Sequence, residues 1–182
     1  MDKVAIFIDA GCLDKILQNS FGKPRLDFRK LIAALSEGKE LLRAYYYHCM
    51  PYQGTNPTLE EKDRYRKKQS FIHRLSEIPR LECRQGRLAR YSDPSVKGGL
   101  RYEQKRVDVM MAGDLVRLSA TGKINDAILI TGDSDFVPAI IETKQFGIVV
   151  HLFYVPPIND ELREACDERT IISQELIDKI RM

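Results

Sequence analysis

Val4, Ala5, Ile6, Phe7 and Ile8 form an unbroken apolar run that stops on Asp9. A strand with one wet face alternates polar and apolar residues, so a β-branched and aromatic run without alternation predicts a strand covered on both sides. Three further segments follow the same pattern: Leu41–His48, Ala127–Thr131 and Ile148–Phe153. Helical segments separate them. Asp27 reads as the N-cap of a helix through Leu35, ended near Gly38. Thr58 and Glu61 make a capping box that opens a long basic helix to about Ile78, stopped by Pro79. A helix apolar nearly all round begins near Arg106 and runs to about Ser119. Another, capped by Ser134 or Asp135, runs to about Gln145 with Pro138 in its first turn. A further helix starts at Asp160, and Ser173 caps the last one. Between the basic helix and Arg106, Leu81–Tyr91 reads as two short strand-like pieces around a Gln85-Gly86 turn, and Ser92–Tyr102 as a polar, Gly-rich loop. Strand–helix alternation at this spacing predicts an α/β fold, a mostly parallel sheet with helices on both faces. At 182 residues the chain fits a single domain spanning 1–182.

Composition narrows the class. A hydrophobic fraction of 43% and a charged fraction of 30% are ordinary for a soluble globular chain. The first apolar run is too short for a signal peptide or membrane span, and the most apolar later stretch, Ala127–Ile141, is broken by Asp133 and Asp135. The expectation is a cytoplasmic protein with no membrane partner. Cys12, Cys49, Cys83 and Cys166 lie far apart without a CxxC pair, which fits reduced, buried thiols rather than zinc ligands or disulfides.

Net charge is only +3, but it is unevenly placed. Lys62–Arg106 holds fourteen Lys and Arg against five acids, a local +9, which leaves the rest of the chain at −6. Such asymmetry points to a polyanion on one side of the molecule.

In open parallel sheets the ligand site lies beyond the carboxyl ends of the strands, where strand order reverses. Asp9 directly follows the first strand, and Asp133 and Asp135 follow the Ala127–Thr131 strand, so two separate strands deliver carboxylates to one edge. Asp108 stands in the first turn of the apolar helix and can point across the crevice. Asp114, six residues on, is turned roughly 120° away at 3.6 residues per turn. An Asp after a strand is often only an N-cap, and that role alone accounts for Asp135. Gathered carboxylates, however, raise one another's pKa unless a cation neutralises them. Mg²⁺ and Mn²⁺ prefer oxygen ligands and commonly sit on carboxylates together with substrate phosphate. No competing nucleophile motif is present, and an aspartyl phosphotransferase would want a second Asp where Gly11 stands.

Three segments carry a family resemblance: Phe7-Ile8-Asp9; Gln104-Lys105-Arg106-Val107-Asp108 with Gly113-Asp114-Leu115; and Ile130-Thr131-Gly132-Asp133-Ser134-Asp135-Phe136-Val137-Pro138. In order and spacing the chain resembles the NYN domain family, in its LabA-like bacterial branch, over essentially its whole length. The resemblance implies a PIN-like (Rossmann-like) three-layer sandwich, and a cluster of acids that binds Mg²⁺ or Mn²⁺ and cleaves RNA. By position it makes Asp9, Asp108 and Asp133 the metal ligands and Asp135 an accessory catalytic acid. One residue departs from the pattern: the family carries Asn three residues after the first Asp, and here Cys12 stands there. A thiol is a poor Mg²⁺ ligand.

The basic stretch supplies the other half. On the helix, Lys62, Arg64, Arg66, Lys67, Lys68 and Arg74 read either as a solvated face or as phosphate contacts. Arg84, Arg87, Arg90, Arg101 and Lys105, with Lys97, lead straight into Asp108 and are the expected RNA-binding residues. Tyr45, Tyr46 and Tyr47 fit core packing on a strand. The expected activity is metal-dependent hydrolysis of single-stranded or structured RNA. The alternative is a non-catalytic RNA-binding or regulatory module with a degenerate acidic pocket, a reading that Cys12 favours. Phosphotransfer on small nucleotides is a third class. Homo-oligomerisation is left open.

Overall fold

A computed structural model describes residues 2–95 and 98–182 of the chain; Lys97 lies outside the described residues. Six strands build the main sheet: β1 (Lys3–Asp9), β2 (Glu40–His48), β3 (Leu81–Gln85), β6 (Asp126–Ile130), β7 (Val149–Tyr154) and β8 (Glu168–Ile171). Their order is β3-β2-β1-β6-β7-β8, and every pairing is parallel. The chain fills one half of the sheet outward from β1, then the other half outward from β6. The order therefore reverses between β1 and β6, where a parallel sheet opens a crevice beyond its carboxyl edge.

Two helical layers cover the sheet, as the non-alternating strands require. On one face lie α1 (Ala10–Ser20), α2 (Phe28–Leu35), α3 (Leu59–Ser76) and α7 (Gln174–Ile180). Leu13, Leu17, Phe28, Leu31, Leu75 and Ile177 from these helices pack with Val4, Ile6 and Ile8 of β1. On the other face, α4 (Val107–Ala120), α5 (Val137–Gln145) and α6 (Asp160–Ala165) bring Met111, Leu115, Ile140 and Leu162 against Ala5 and Phe7. The result is a three-layer α/β sandwich. Both halves of the Thr58/Glu61 capping box form at the start of α3.

Two expectations need correcting, and two elements were not foreseen. The helix α1 follows β1 immediately, because Asp9 itself serves as its N-cap. Asp133, not Ser134 or Asp135, caps the turn after β6, and that turn is a 3-10 turn over Ser134–Phe136 before α5 begins. The short edge strand β8 carries no apolar run and was not expected. The stretch read as a loop after Ser92 is the far end of a two-stranded antiparallel arm, β4 (Arg87–Ser92) with β5 (Leu100–Lys105). The Gln85-Gly86 turn thus does not join a hairpin; it passes the chain from the main sheet to the arm.

Gly86 is the pivot of that transfer. Its N–H donates to the His48 carbonyl at 2.7 Å. A Cβ there would meet Val107 Cγ2 at 2.6 Å, the Lys105 carbonyl oxygen at 2.8 Å and Cys49 Sγ at 3.1 Å. One of these is backbone, so something must move. Gly86→Ala is expected to lower stability by roughly 1–3 kcal/mol, the usual cost of overpacking, read as a fall in the urea midpoint with an unchanged slope.

Candidate metal and nucleic-acid site

The parallel register Val4↔Asp126 through Ile8↔Ile130 brings the ends of β1 and β6 out level. Asp9 leaves β1 at the crevice, and its Oδ1 accepts the N–H groups of Gly11 at 2.9 Å and Cys12 at 3.2 Å. Asp133 leaves β6 in the same way: its Oδ1 accepts the Asp135 N–H at 2.9 Å, and its own N–H donates to Thr131 Oγ1 at 3.3 Å. Both acids therefore act as caps, as the plain reading of each supposed, but each spends one oxygen on it.

Asp108 arrives by a different route. Arg106 adopts φ 75°, ψ −17°, a left-handed conformation that costs a non-glycine residue about 1–2 kcal/mol. That kink turns β5 into α4 without a side-chain cap and sets Asp108 in the first turn. Burial, and then the charges of Asp133 and Asp135, push the Asp108 carboxyl above its usual range. Asp9 is raised too: burial outweighs the two backbone N–H groups that lower it, and the Asp108 charge adds to the rise while Lys15 opposes it. The fields of Asp9, Asp108, Asp133 and Asp135 thus overlap.

Among the described residues, no three His, Cys, Asp or Glu side chains stand grouped as a ready set of metal ligands. Asp9 and Asp133 each commit one carboxylate oxygen to backbone N–H groups. The chemistry of the donor set nonetheless suits a hard divalent cation, since it is all carboxylate oxygen. None of these four acids enters an ion pair among the described residues, whereas Asp126, at the opposite end of β6, holds the Lys39 ammonium at 2.6 Å. Asp114 differs again. It accepts the Tyr47 hydroxyl at 3.0 Å and pairs with Arg84 at 3.3 Å and Arg117 at 2.7 Å, which removes it from the acidic group.

Cys12 lies half-buried in the crevice. Burial, and then the charges of Asp9 and Asp133 against Lys15, push its thiol up to about 12. It is a neutral thiol, not a thiolate ligand. A cavity of about 560 Å³ adjoins it, between α1, Thr131-Gly132 and the segment after β7.

The expected RNA contacts fall into two groups. Arg84 is on β3, its guanidinium shared between Asp114 and Glu82 and set 5.6 Å from the Tyr45 ring centroid. Arg87, Arg90, Arg101 and Lys105 are exposed on the β4–β5 arm. Arg87 pairs across the arm with Lys105, and Tyr91 with Arg101, so these four share a face. Glu103, on that face, holds Arg101 at 3.0 Å and Lys105 at 2.8 Å. On the other face Arg90 lies opposite Tyr102 and 4.7 Å from the centroid of Tyr52, which packs on Tyr102 at 5.3 Å. Sequence reasoning missed Tyr52 and the damping role of Glu103. Reading Leu100–Lys105 as a strand would have exposed Glu103, because residues 101, 103 and 105 then share a face.

The family model described as NYN domain matches residues 3–174. No curated protein matches the chain. Among solved structures, a protein of unknown function from Vibrio parahaemolyticus is similar at 20% identity and a TM-score of 0.67, covering 100% of this chain and 96% of its own. At that identity the likeness is one of fold.

A carboxyl whose folded-state pKa lies above its unfolded value favours folding while protonated and opposes it once ionised. Asp9 and Asp108 are of this kind, so near pH 7 they cost the metal-free protein stability. Asp108→Asn is expected to raise the metal-free Tm at pH 7 by roughly 1–2 °C, discounted for its exposure, with the gain shrinking toward pH 4. Scanning calorimetry in EDTA across that range checks it. For Cys12, a thiol at about 12 holds on the order of 10⁻⁴ thiolate at pH 8. Iodoacetamide labelling of the folded protein is expected to leave Cys12 unmodified when an unfolded control reacts fully.

Proposed function

The chain belongs to the NYN domain family, within the PIN-like nuclease superfamily, and from that premise we propose that it is a metal-dependent ribonuclease hydrolysing RNA phosphodiesters. One observation carries the reading: at the β1/β6 crevice Asp9 lies in the field of Asp108, and Asp108 in those of Asp133 and Asp135, with no Lys or Arg ion-paired to any of the four among the described residues. Acids left uncompensated in this way suit a cation supplied from solution.

Asp9, Asp108 and Asp133 would hold Mg²⁺ or Mn²⁺, with Asp135 assisting. A divalent ion bound there supplies activated water and neutralises charge on the phosphate. The chain's own residues do the rest. Asp9 and Asp133 keep one oxygen each on backbone N–H groups, which fixes their orientation for a ligand on the other. Arg87, Arg90, Arg101 and Lys105 guide the RNA backbone along the arm. Arg84, its charge already met by Asp114 and Glu82, contributes least of the five. Tyr91 and Tyr102, each 45% exposed, offer rings on which unpaired bases stack, which favours single-stranded or looped RNA.

A second reading has its own support. The neutral thiol of Cys12, where the family pattern has Asn, weakens the polar rim of the crevice and favours a non-catalytic RNA-binding or regulatory module. One assay separates the two. Labelled RNA would be incubated with purified protein in Mn²⁺, in Mg²⁺ and in EDTA, and with Asp133→Asn. Cleavage that needs metal and falls at least 100-fold in Asp133→Asn is expected. Cleavage indifferent to chelation or to the substitution defeats the nuclease reading. Binding without cleavage in either metal establishes the module instead.

A further inference from the structure

Beside the acidic crevice the same sheet edge carries a concavity of opposite charge. A cavity of about 530 Å³ opens between α3, the loop after α1 and the chain following β2. Lys23, Arg64, Lys67 and Lys68 line it against one acid, Asp14. Lys67 is held by Asp63 at 2.6 Å, whereas Lys23, Arg64 and Lys68 enter no ion pair among the described residues. A surface helix normally meets its cations with acids one turn away, as Asp63 meets Arg66 and Lys67 here. Of the cavity cations only Lys67 has such a partner; Lys23, Arg64 and Lys68 face the single carboxylate of Asp14 without an ion pair among the described residues.

Lys68 is the most constrained of them. Its ammonium sits 5.5 Å from the Tyr46 ring centroid and 5.3 Å from that of Phe71. Both rings also meet the buried Phe28, so the ammonium is fixed against the core rather than waving in solvent. Burial pushes its pKa down, with Asp14 opposing the shift. A partly dehydrated cation gains more from an incoming anion than one in bulk water.

The cavity lies within reach of the proposed nuclease site. Cys49 lines it, and the charges of Asp108 and Asp9 reach the Cys49 thiol. Leu88 of β4 forms part of its wall, so the basic arm borders it as well. A strand lying along the arm and over the crevice has this cavity as its next concave, positive surface.

We propose that this cavity is a phosphate subsite, in which Lys68 and Arg64, aided by Lys23, hold a phosphate of the RNA strand away from the scissile one. The proposal rests on RNA as the substrate but not on cleavage. The group held is either an internal phosphodiester or a terminal phosphomonoester, which share their chemistry and differ in charge.

The test is RNA binding by the full chain carrying Asp133→Asn, in EDTA, with fluorescent oligonucleotides bearing a 5′-hydroxyl or a 5′-phosphate, over a range of salt. Lys68→Gln and Arg64→Gln are each expected to weaken binding about tenfold and to lower the salt slope by about 0.7, one single-strand phosphate contact. Lys62→Gln, on the same helix but outside the cavity, is expected to change neither. Preference for the 5′-phosphate that disappears in Lys68→Gln assigns a terminal group; equal loss on both oligonucleotides assigns an internal one. Should Lys68→Gln lose its fold by circular dichroism, the exposed Arg64→Gln decides. Binding by Arg64→Gln indistinguishable from Lys62→Gln, or no RNA binding by the parent, overturns the subsite. Because metal and cleavage are absent from the measurement, a failed nuclease assay leaves this result standing, and active nuclease with an indifferent Arg64 refutes the subsite alone.

Discussion

Side-by-side parallel pairing of β1 with β6 is the constraint on which the rest of this molecule depends. Nearly every residue in the two strands is buried on both faces, and a slip of one position would exchange the side chains of Val4, Ile6 and Ile8 with those of Ala5 and Phe7. Packing therefore locks the register, and the locked register brings Asp9 and the Thr131-Gly132-Asp133 turn out on the same edge. The reversal of strand order at this pair leaves the edge uncovered by a crossover. Acids 124 positions apart in sequence thus leave the sheet by the same edge, from adjacent strands.

Charge is sorted around that edge. At the amino end of β6, Asp126 is buried with its own lysine. At the carboxyl end the acids have one another, backbone N–H groups and the field of Lys15 on Asp9, but no ion pair among the described residues. The cations that could have balanced them are carried elsewhere: onto the β4–β5 arm, where Glu103 restrains two of them, and onto α3, where Asp63 restrains two more. Arg84 and Asp114, despite sequence positions beside the site, compensate each other below the arm and hold Tyr47. An uncompensated acidic crevice flanked by partly compensated basic surfaces suits a ligand that brings both a cation and a polyanion.

Much of the fold could be read directly, for a simple reason. Strands buried on both faces leave apolar runs, so β1, β2, β6 and β7 were plain, and the capping box marked α3 because its two hydrogen bonds need those residue types at that spacing. Elements with weaker local signals were lost. β8 is a four-residue edge strand in which three residues are polar, and β5 is polar because its arm packs on little. α1 was not drawn although a capping role for Asp9 was weighed, because no helix was read into the residues that follow it. Asp133 took the cap expected of Asp135 because the chain makes a 3-10 turn first, bringing the Asp135 N–H to its side chain.

The sequence alone determined which residue types were available and at which strand ends: the apolar runs, the acids that close them and the family pattern joining them. These are local or periodic properties, set by backbone geometry and side-chain solvation over a few residues. Only the tertiary structure decided which charges stay free. Whether an arginine faces a phosphate or an aspartate depends on what packs beside it, and so Arg84 was claimed by Asp114, Lys105 by Glu103, and Lys68 was set over Tyr46 and Phe71 by elements far from it in the chain. Electrostatic partners are chosen by distance in space, and that distance is not written in any short stretch of residues.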